Sequence, residues 1–408
     1  MPSTADVSCM SIRLMHVDLD AFFVEVCRQR HPELRDVDLL VVGGKRESRG
    51  VVQSASYGAR RFGVRAGMPI AEAVRRCPDA TFFQGSFAHY RAASRTVRHL
   101  LQEFSPTVVM ASLDEGYLDF SGTDRLYPMS LLPVAESIRD RVRVATGLDC
   151  SIGIGANRMI AKLASDYAKP RGLMEVRAGW EEGFLAGLPL SALPGVGPVT
   201  AARWKERGLT EVVQVQAMSE DALRQHVGDA AASLKRRAHG HGGMVLRPDR
   251  LQRSVSRETT MSRDERRPER LETLLALFAA RIGAQLRKDG LVARTVTLKL
   301  RHDDFRTVTR RITLREGTQL DAELLTPALG LFREAFDNVR ARNRGVRLIG
   351  LSATNLAEAA EADLFESDVR QRSRRLTDAV DQLRARYGFD AVTIARLLDV
   401  QNRRSSEK

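Results

Sequence analysis

Leu14-Met15-His16-Val17-Asp18-Leu19-Asp20 and Ser112-Leu113-Asp114-Glu115-Gly116-Tyr117-Leu118-Asp119 are the two stretches whose reading decides the fold. Each is an apolar run suited to a buried strand, and each is broken by carboxylates at one end. A buried strand that ends in unpaired acids is costly unless a cation meets them. Brought together, Asp18, Asp114 and Glu115 would repel by roughly 4 kcal/mol per pair at about 4 Å in a medium of effective dielectric about 20. Divalent metal removes that repulsion, and an all-oxygen ligand set suits Mg2+. The pattern points to a two-Mg2+ phosphoryl-transfer site. Spacing alone also allows three unrelated surface acids at strand ends. Neighbouring Asp114 and Glu115 would face opposite sides of a regular strand, so a turn or bulge is expected there.

Outward from these strands the pattern alternates. Ile12 to Val17 reads as a strand and Ala21 to Arg30 as a helix, started by Asp20 and closed before Pro32. Leu39 to Val42 and Gly50 to Ser54 read as short strands, and Ile70 to Arg76 and His89 to Glu103 as helices. Val108 to Phe120 reads as a hairpin carrying acids, and Pro133 to Tyr167 as helix, strand and helix. Such alternation around a mostly antiparallel sheet predicts a ferredoxin-like α+β unit. Residues 181 to 243 are helical in pattern, and 247 to 253 form a basic linker after Gly242-Gly243. A β-α-β-β-α-β unit follows: strands at Ala293 to Leu300, Phe305 to Leu314 and Val346 to Leu356, helices at Leu271 to Lys288 and Thr326 to Asp337. The last segment is acidic, then Arg-rich with helical periodicity at Leu376, Val380, Leu383 and Tyr387.

At 408 residues the chain exceeds one ordinary core. Its 43% hydrophobic and 28% charged content is that of a soluble globular protein. The net charge of +13 favours a polyanionic partner, and Arg247 to Arg347 concentrates it, with 23 Lys+Arg against 14 Asp+Glu. Cys9, Cys27, Cys77 and Cys150 lie far apart, which argues against a zinc site or a disulfide framework. The first 11 residues lack the layout of a signal peptide. No apolar run approaches the ~20 residues that span a bilayer. A cytoplasmic protein without membrane contact is expected.

The two acidic stretches resemble the signature motifs of the Y-family DNA polymerases, in their DinB or DNA polymerase IV branch. The resemblance continues through Gly50-Val51-Val52-Gln53-Ser54-Ala55-Ser56-Tyr57-Gly58-Ala59-Arg60-Arg61-Phe62-Gly63-Val64 and Ser151-Ile152-Gly153-Ile154-Gly155-Ala156-Asn157-Arg158. It runs on to Lys162 and Asp166, closes at Lys169-Pro170, and keeps the family's order over roughly residues 12 to 356. It implies a ferredoxin-like palm (1–20 and 88–180) with a small fingers insertion (21–87). A helical thumb with a helix-hairpin-helix (181–246), the linker (247–253), an α+β little finger (254–356) and a tail (357–408) follow. It also implies a low-fidelity, template-directed translesion polymerase that adds dNTPs to a primer end on DNA and acts in damage tolerance.

By that resemblance Asp18 and Asp114 bridge two Mg2+ ions, Glu115 completes the primer-side metal site, and the Leu19 carbonyl supports the nucleotide-side ion. Asp20 and Asp119 are structural, a helix cap and a strand-end acid. Tyr57, Arg60 and Lys162 hold the triphosphate with a hydroxyl from Ser54, since a forked guanidinium and a point charge bind a tetra-anion without base preference. Arg61 and Arg65 read as an ordinary exposed helix face. Phe23 stands at the sugar gate, where bulk excludes a 2′-hydroxyl, and Phe22 reads as core. Gly195 and Gly197 of Pro194-Gly195-Val196-Gly197-Pro198 resemble a hairpin that approaches DNA phosphate closely. Arg253, Arg257 and Arg294 lie in strands that resemble those laid along the DNA backbone. Leu364 and Phe365 of Glu361-Ala362-Asp363-Leu364-Phe365 resemble a sliding-clamp peptide, from which Glu361 and Ala362 depart. Cys27 and Gly58 stand where the family usually has Glu, and Gly116 where Ala is commoner. A monomer is expected. Two other classes remain in view, a non-catalytic DNA- and clamp-binding adaptor and a nucleotide cyclase on the same palm. Retention of the acids, Tyr57, Arg60 and Lys162 argues against the first, and the helix-hairpin-helix and basic third domain against the second.

Overall fold

The computed structural model describes residues 12–243, 246, 252–341, 344–359 and 368–392. In it the first apolar run is strand β1 (Leu14–Leu19), buried along its whole length. Next come α1 (Phe22–Arg30), β2 (Leu40–Val42), β3 (Ser54–Ala55), α2 (Tyr57–Arg61), α3 (Ile70–Arg76) and β4 (Thr81–Phe83). Strands β3, β2 and β4 make a small sheet of their own, packed by Val41, Val52, Val64 and Ile70. The chain then returns through α4 (Phe87–Gln102), β5 (Val108–Met110), β6 (Glu115–Asp119), α5 (Leu132–Thr146), β7 (Cys150–Gly155), α6 (Arg158–Ala168) and β8 (Leu173–Glu175).

The main sheet runs β5-β6-β1-β7-β8, with β1 antiparallel to both neighbours. Alternation along β1 gives its two faces different work. Met15, Val17 and Leu19 join Phe22, Tyr90, Val97, Leu101, Ile138 and Val142 in one apolar core. His16 and Asp18 point the other way, where α6 packs. That helix is started by Asn157, whose Oδ1 accepts from the N–H groups of Met159 and Ile160 at 3.0 and 3.1 Å. Its approach depends on glycine. A Cβ on Gly153 would stand 2.1 Å from the Ala161 carbonyl oxygen and 2.2 Å from the Ser165 nitrogen.

Five short helices follow: α7 (Glu181–Ala186), α8 (Pro198–Lys205), α9 (Val212–Ala217), α10 (Glu220–Val227) and α11 (Ala231–Ala238). They enclose a core of Leu185, Leu193, Trp204, Val212, Leu223 and Leu234 that extends to Ile160 and Leu163 of α6. The chain divides into two compact units, Met1–Asp249 and Arg250–Lys408.

The second unit contains β9 (Ser254–Glu265), α12 (Pro268–Lys288), β10 (Leu291–His302), β11 (Thr307–Thr318), α13 (Asp321–Ala341) and β12 (Val346–Glu358). Its antiparallel sheet runs β11-β10-β12-β9. Leu275, Phe278 and Ile282 of α12 and Leu324 and Phe332 of α13 pack on Val296, Leu298, Ile349 and Leu351. Helix α14 (Asp368–Tyr387) is pinned by Arg287, which pairs with Asp381 at 2.6 Å and Asp321 at 2.9 Å.

The mixed α+β class read from the sequence is the one observed. Three local expectations differ. Helix α13 starts at Asp321, not Thr326, and holds Pro327 inside it. Proline suits a first turn, which places the start at Thr326, but burial of Leu324 keeps the earlier turn helical. The expected Gly50 to Ser54 strand shrinks to an isolated bridge between Val51 and Pro69 and the two-residue β3. Asp20 does not cap α1. Ala21 is the cap residue, at φ 45°, and no side chain caps there.

Candidate active site

Strand pairing places Asp18 directly opposite Glu115. The Leu19 N–H donates to the Asp114 carbonyl at 2.8 Å, which ties the end of β1 to the residue before β6. Asp114 lies in a bend and β6 begins at Glu115. A departure from regular strand, as adjacent acids require, is therefore present. The Ser112 hydroxyl donates to Asp114 Oδ1 and accepts from the N–H groups of Asp114 and Glu115.

Ammonium groups meet the other two acids. Lys169 Nζ is 2.7 Å from Asp18 Oδ2 and 3.0 Å from Asp166 Oδ1. Lys162 Nζ donates to Glu115 Oε2 at 2.6 Å, and His16 Nε2 stands 3.6 Å from the same oxygen, in ion-pair reach but beyond hydrogen-bond length. Burial pushes the Asp18 carboxyl above its usual range, and Lys169 only partly offsets this. Glu115 is held down at about 2, chiefly by His16 and then by Lys162 against the opposing effect of burial. Among the described residues no three acid, histidine or cysteine side chains stand together as a ready metal cage. The donors nevertheless fit a hard divalent ion: all are oxygens, and at buried Asp18 desolvation outweighs the Lys169 ammonium.

Beside Asp18 opens a cavity of about 770 Å3 lined by Tyr57, Arg60, Arg61, Arg65, Asp166 and Lys169 among others. Helix α2 presents the first two, started by Ser56, whose Oγ accepts from the Ala59 N–H. The Tyr57 hydroxyl donates to Asp20 Oδ1 at 3.0 Å, and the Arg60 guanidinium lies 4.8 Å over the Tyr57 ring. Burial and Asp20 push the Tyr57 phenol up to about 12. Asp20 also accepts from the Ser151 hydroxyl and the Arg171 N–H, so it anchors this wall instead of capping a helix.

Sequence reasoning missed Lys169, which links Asp18 to the cavity; Arg61 and Arg65 are exposed, as read, and stand at the cavity's edge. Lys169 sits in the quoted Lys169-Pro170 pair, but no local pattern tells which carboxylate its ammonium reaches. Lys162 and Ser54 do not line the cavity; Lys162 is bound to Glu115, and Ser54 is buried at the start of β3. Phe23 is half-buried, stacked 4.1 Å from Tyr90 at 28°, whereas Phe22 is buried. The Tyr90 hydroxyl meets Cys27 Sγ at 3.2 Å and fills the space a Cβ on Gly85 would need. At Gly58 and Gly116 a Cβ would meet the Asp38 carboxylate at 2.4 Å and Met110 Sδ at 2.8 Å, so neighbours occupy the room of larger residues.

Away from this centre, Gly195 takes φ 90° and Gly197 is the cap residue of α8, with Pro198 in its first turn. In the second unit Arg253 and Arg294 are exposed, and Arg257 pairs with Leu351 on the face that carries Val255 and Ala353. The face away from α12 and α13 carries Lys299, Arg301 and Arg311. Leu364 and Phe365 lie outside the described residues. No helix among the described residues is long and apolar enough to cross a membrane.

A mostly antiparallel palm-like sheet with acids at the β1–β6 edge of a cation-lined cavity has the parts of a nucleotidyltransferase. The comparisons agree. The impB/mucB/samB family matches residues 17–166, and its C-terminal domain matches residues 252–364. A DNA polymerase IV of Dehalococcoides mccartyi is 38% identical over 388 residues, 95% of this chain and 98% of the relative. One from Caulobacter vibrioides is 36% identical over 392 residues, 95% of this chain and 94% of the relative. A solved Y-family DNA polymerase chimera of Dbh and Dpo4 superposes with a TM-score of 0.73 at 25% identity, covering 85% of this chain and 99% of that one. The chain belongs to the Y-family DNA polymerases, in the DinB or DNA polymerase IV branch. It is a DNA-directed DNA polymerase, a class that depends on metal.

Proposed function

We propose that this chain is a translesion polymerase that uses two Mg2+ ions held by Asp18, Asp114, Glu115 and the Leu19 carbonyl. Its substrates are primer-template DNA and dNTPs. The observation that carries the reading is Lys169, bonded to Asp18 on one side and lining the 770 Å3 cavity on the other, so carboxylates and anion pocket are one site. Bound metal supplies charge neutralisation for the attacking and leaving oxygens. The chain's own residues do the rest. Tyr57, Arg60 and Lys169 take the triphosphate, with Arg65 at the rim. Asp20 fixes the Tyr57 ring through its hydroxyl, and that ring carries the Arg60 guanidinium. Phe23, braced by Tyr90, excludes a 2′-hydroxyl.

The Gly195–Pro198 turn and the arginines of the second unit hold DNA through phosphates, which position the duplex without reading sequence. The cellular role proposed is damage tolerance by a monomer in the cytoplasm. Leu364 and Phe365 are proposed, on sequence alone, to dock on a sliding clamp. Nothing favours the adaptor alternative. Primer extension on undamaged DNA with and without Mg2+ tests the reading, and no extension in Mg2+ would refute it. Removal of residues 361–365 should leave unassisted synthesis intact and abolish stimulation by clamp; persisting stimulation would refute the docking.

A further inference from the structure

We propose that His16, Ser165 and Lys162 form a positioning device for the Glu115 carboxylate, and that Lys162 serves this acid instead of the triphosphate. The inference rests on the reading of Glu115 as a metal ligand. Both nitrogens that approach Glu115 approach one oxygen: Lys162 Nζ at 2.6 Å and His16 Nε2 at 3.6 Å from Oε2. Oε1 accepts no hydrogen bond among the described residues. One oxygen is thus tied back by the Lys162 ammonium, with the His16 ring packed behind it, and the other is left to face a metal ion.

The tie is built into the fold. His16 is fully buried in the centre of β1, and its Nδ1 lies 2.7 Å from Ser165 Oγ. That hydroxyl donates to the Lys162 carbonyl at 2.7 Å, so the group that steadies the imidazole also joins the turn of α6 that bears Lys162. His16 Nε2 is buried without a hydrogen-bond partner and is aimed at the Glu115 side chain. The ring cannot swing away, because Tyr117 of β6 packs against it at 4.5 Å. Helix α6 can sit low enough for all this only because Gly153 lacks a Cβ. Lys169 provides the contrast. Its ammonium lines the cavity where a triphosphate would lie, and that of Lys162 does not.

The test uses the full chain on a primer-template whose primer ends in a dideoxynucleotide, so that binding is read without turnover. Mn2+ binding is measured by electron paramagnetic resonance, and dNTP affinity separately at saturating metal. Lys162→Met and His16→Phe should each weaken Mn2+ binding about tenfold or more, as loss of a partner behind a metal ligand commonly does. The dNTP dissociation constant should stay within about twofold, because uniform binding of substrate is untouched. Lys162→Arg should recover most of the Mn2+ affinity. Ser165→Ala, which removes only the anchor of the ring, should give a smaller loss in the same direction and serves if His16→Phe does not fold. A Lys162→Met protein with unchanged Mn2+ binding and a raised dNTP dissociation constant would overturn the proposal. Unchanged Mn2+ binding in both the His16 and Ser165 variants would do so as well. Glu115→Gln keeps the two readings apart. Normal Mn2+ binding there defeats the metal-ligand assignment itself, whereas a loss there with unaffected Lys162 and His16 variants defeats only the positioning device.

Discussion

The two large sheets of this chain share the order β-α-β-β-α-β over four strands, to which the first adds α6 and β8, and they arrange it differently. In the first unit the opening strand β1 is central, between β6 and β7. In the second the opening strand β9 lies at the edge, beside β12. The consequence is chemical. A central strand is buried on both faces, so a carboxylate on it has charged neighbours fixed for it, as strand pairing fixes Glu115 and the end of α6 brings Lys169 to Asp18. An edge strand with one open side tolerates alternating charge, and β9 carries Arg257, Glu258 and Arg263 in contact with water or half-buried. The central position suits a reaction centre, and the charged face of the second unit's sheet suits a phosphate-binding surface. Helix packing differs too: α6 rests on bare Gly153 to bring Lys162 within reach, whereas α12 and α13 rest on ordinary Val, Leu and Ile side chains.

The comparison breaks most sharply at the acids. Asp114→Ala or Glu115→Ala should lower the single-turnover extension rate by about a thousandfold, with primer-template affinity nearly unchanged, because the proposed role of these groups is to act through the metal and its charge stabilisation. Residual extension above about a tenth of the wild-type rate would remove them from the centre. Phe23→Ala should raise the rCTP-to-dCTP rate ratio opposite template G by about tenfold or more, since the discrimination proposed is steric. An unchanged ratio would return Phe23 to the core beside Phe22.

The packing contrast is tested by stability. Gly153→Ala should cost about 1–3 kcal/mol in denaturant unfolding, because the α6 backbone must move away from the new Cβ. Gly330→Ala, in the interior of α13 where a Cβ meets nothing within 4 Å, should instead stabilise by about 0.5–1 kcal/mol. Equal effects at the two sites would show that α6 is not held close by Gly153. The second unit's sheet should respond chiefly in salt dependence. Lys299→Ala or Arg311→Ala should reduce the slope of log K against log salt by about 0.9 for each DNA phosphate no longer neutralised, and the weakening should be alike across template sequences. If Arg257→Ala alone flattens the slope, the β9 edge rather than the open face holds the backbone.

Much of this was legible in residues alone. The two acidic strand ends and the βαββαβ order of the second unit follow from runs of neighbouring residues, where periodicity carries the signal, whereas the Phe23, Tyr57 and Arg60 candidates came from the family resemblance. Sequence also required a departure from regular strand between Asp114 and Glu115, because pleating alone would send them to opposite faces. Tertiary structure alone decided which cation meets which acid. Lys162 and Lys169 sit seven residues apart on one stretch of chain, yet one ammonium reaches Glu115 and the other reaches Asp18 and the cavity. That choice depends on how closely α6 lies on Gly153 and on the register of β1 against β6, both long-range quantities. The same holds for Asp20, whose partners Tyr57, Ser151 and Arg171 are distant in sequence. Local pattern makes it a helix cap, and burial among those donors makes it an anchor, because a buried carboxylate goes where hydrogen bonds are offered.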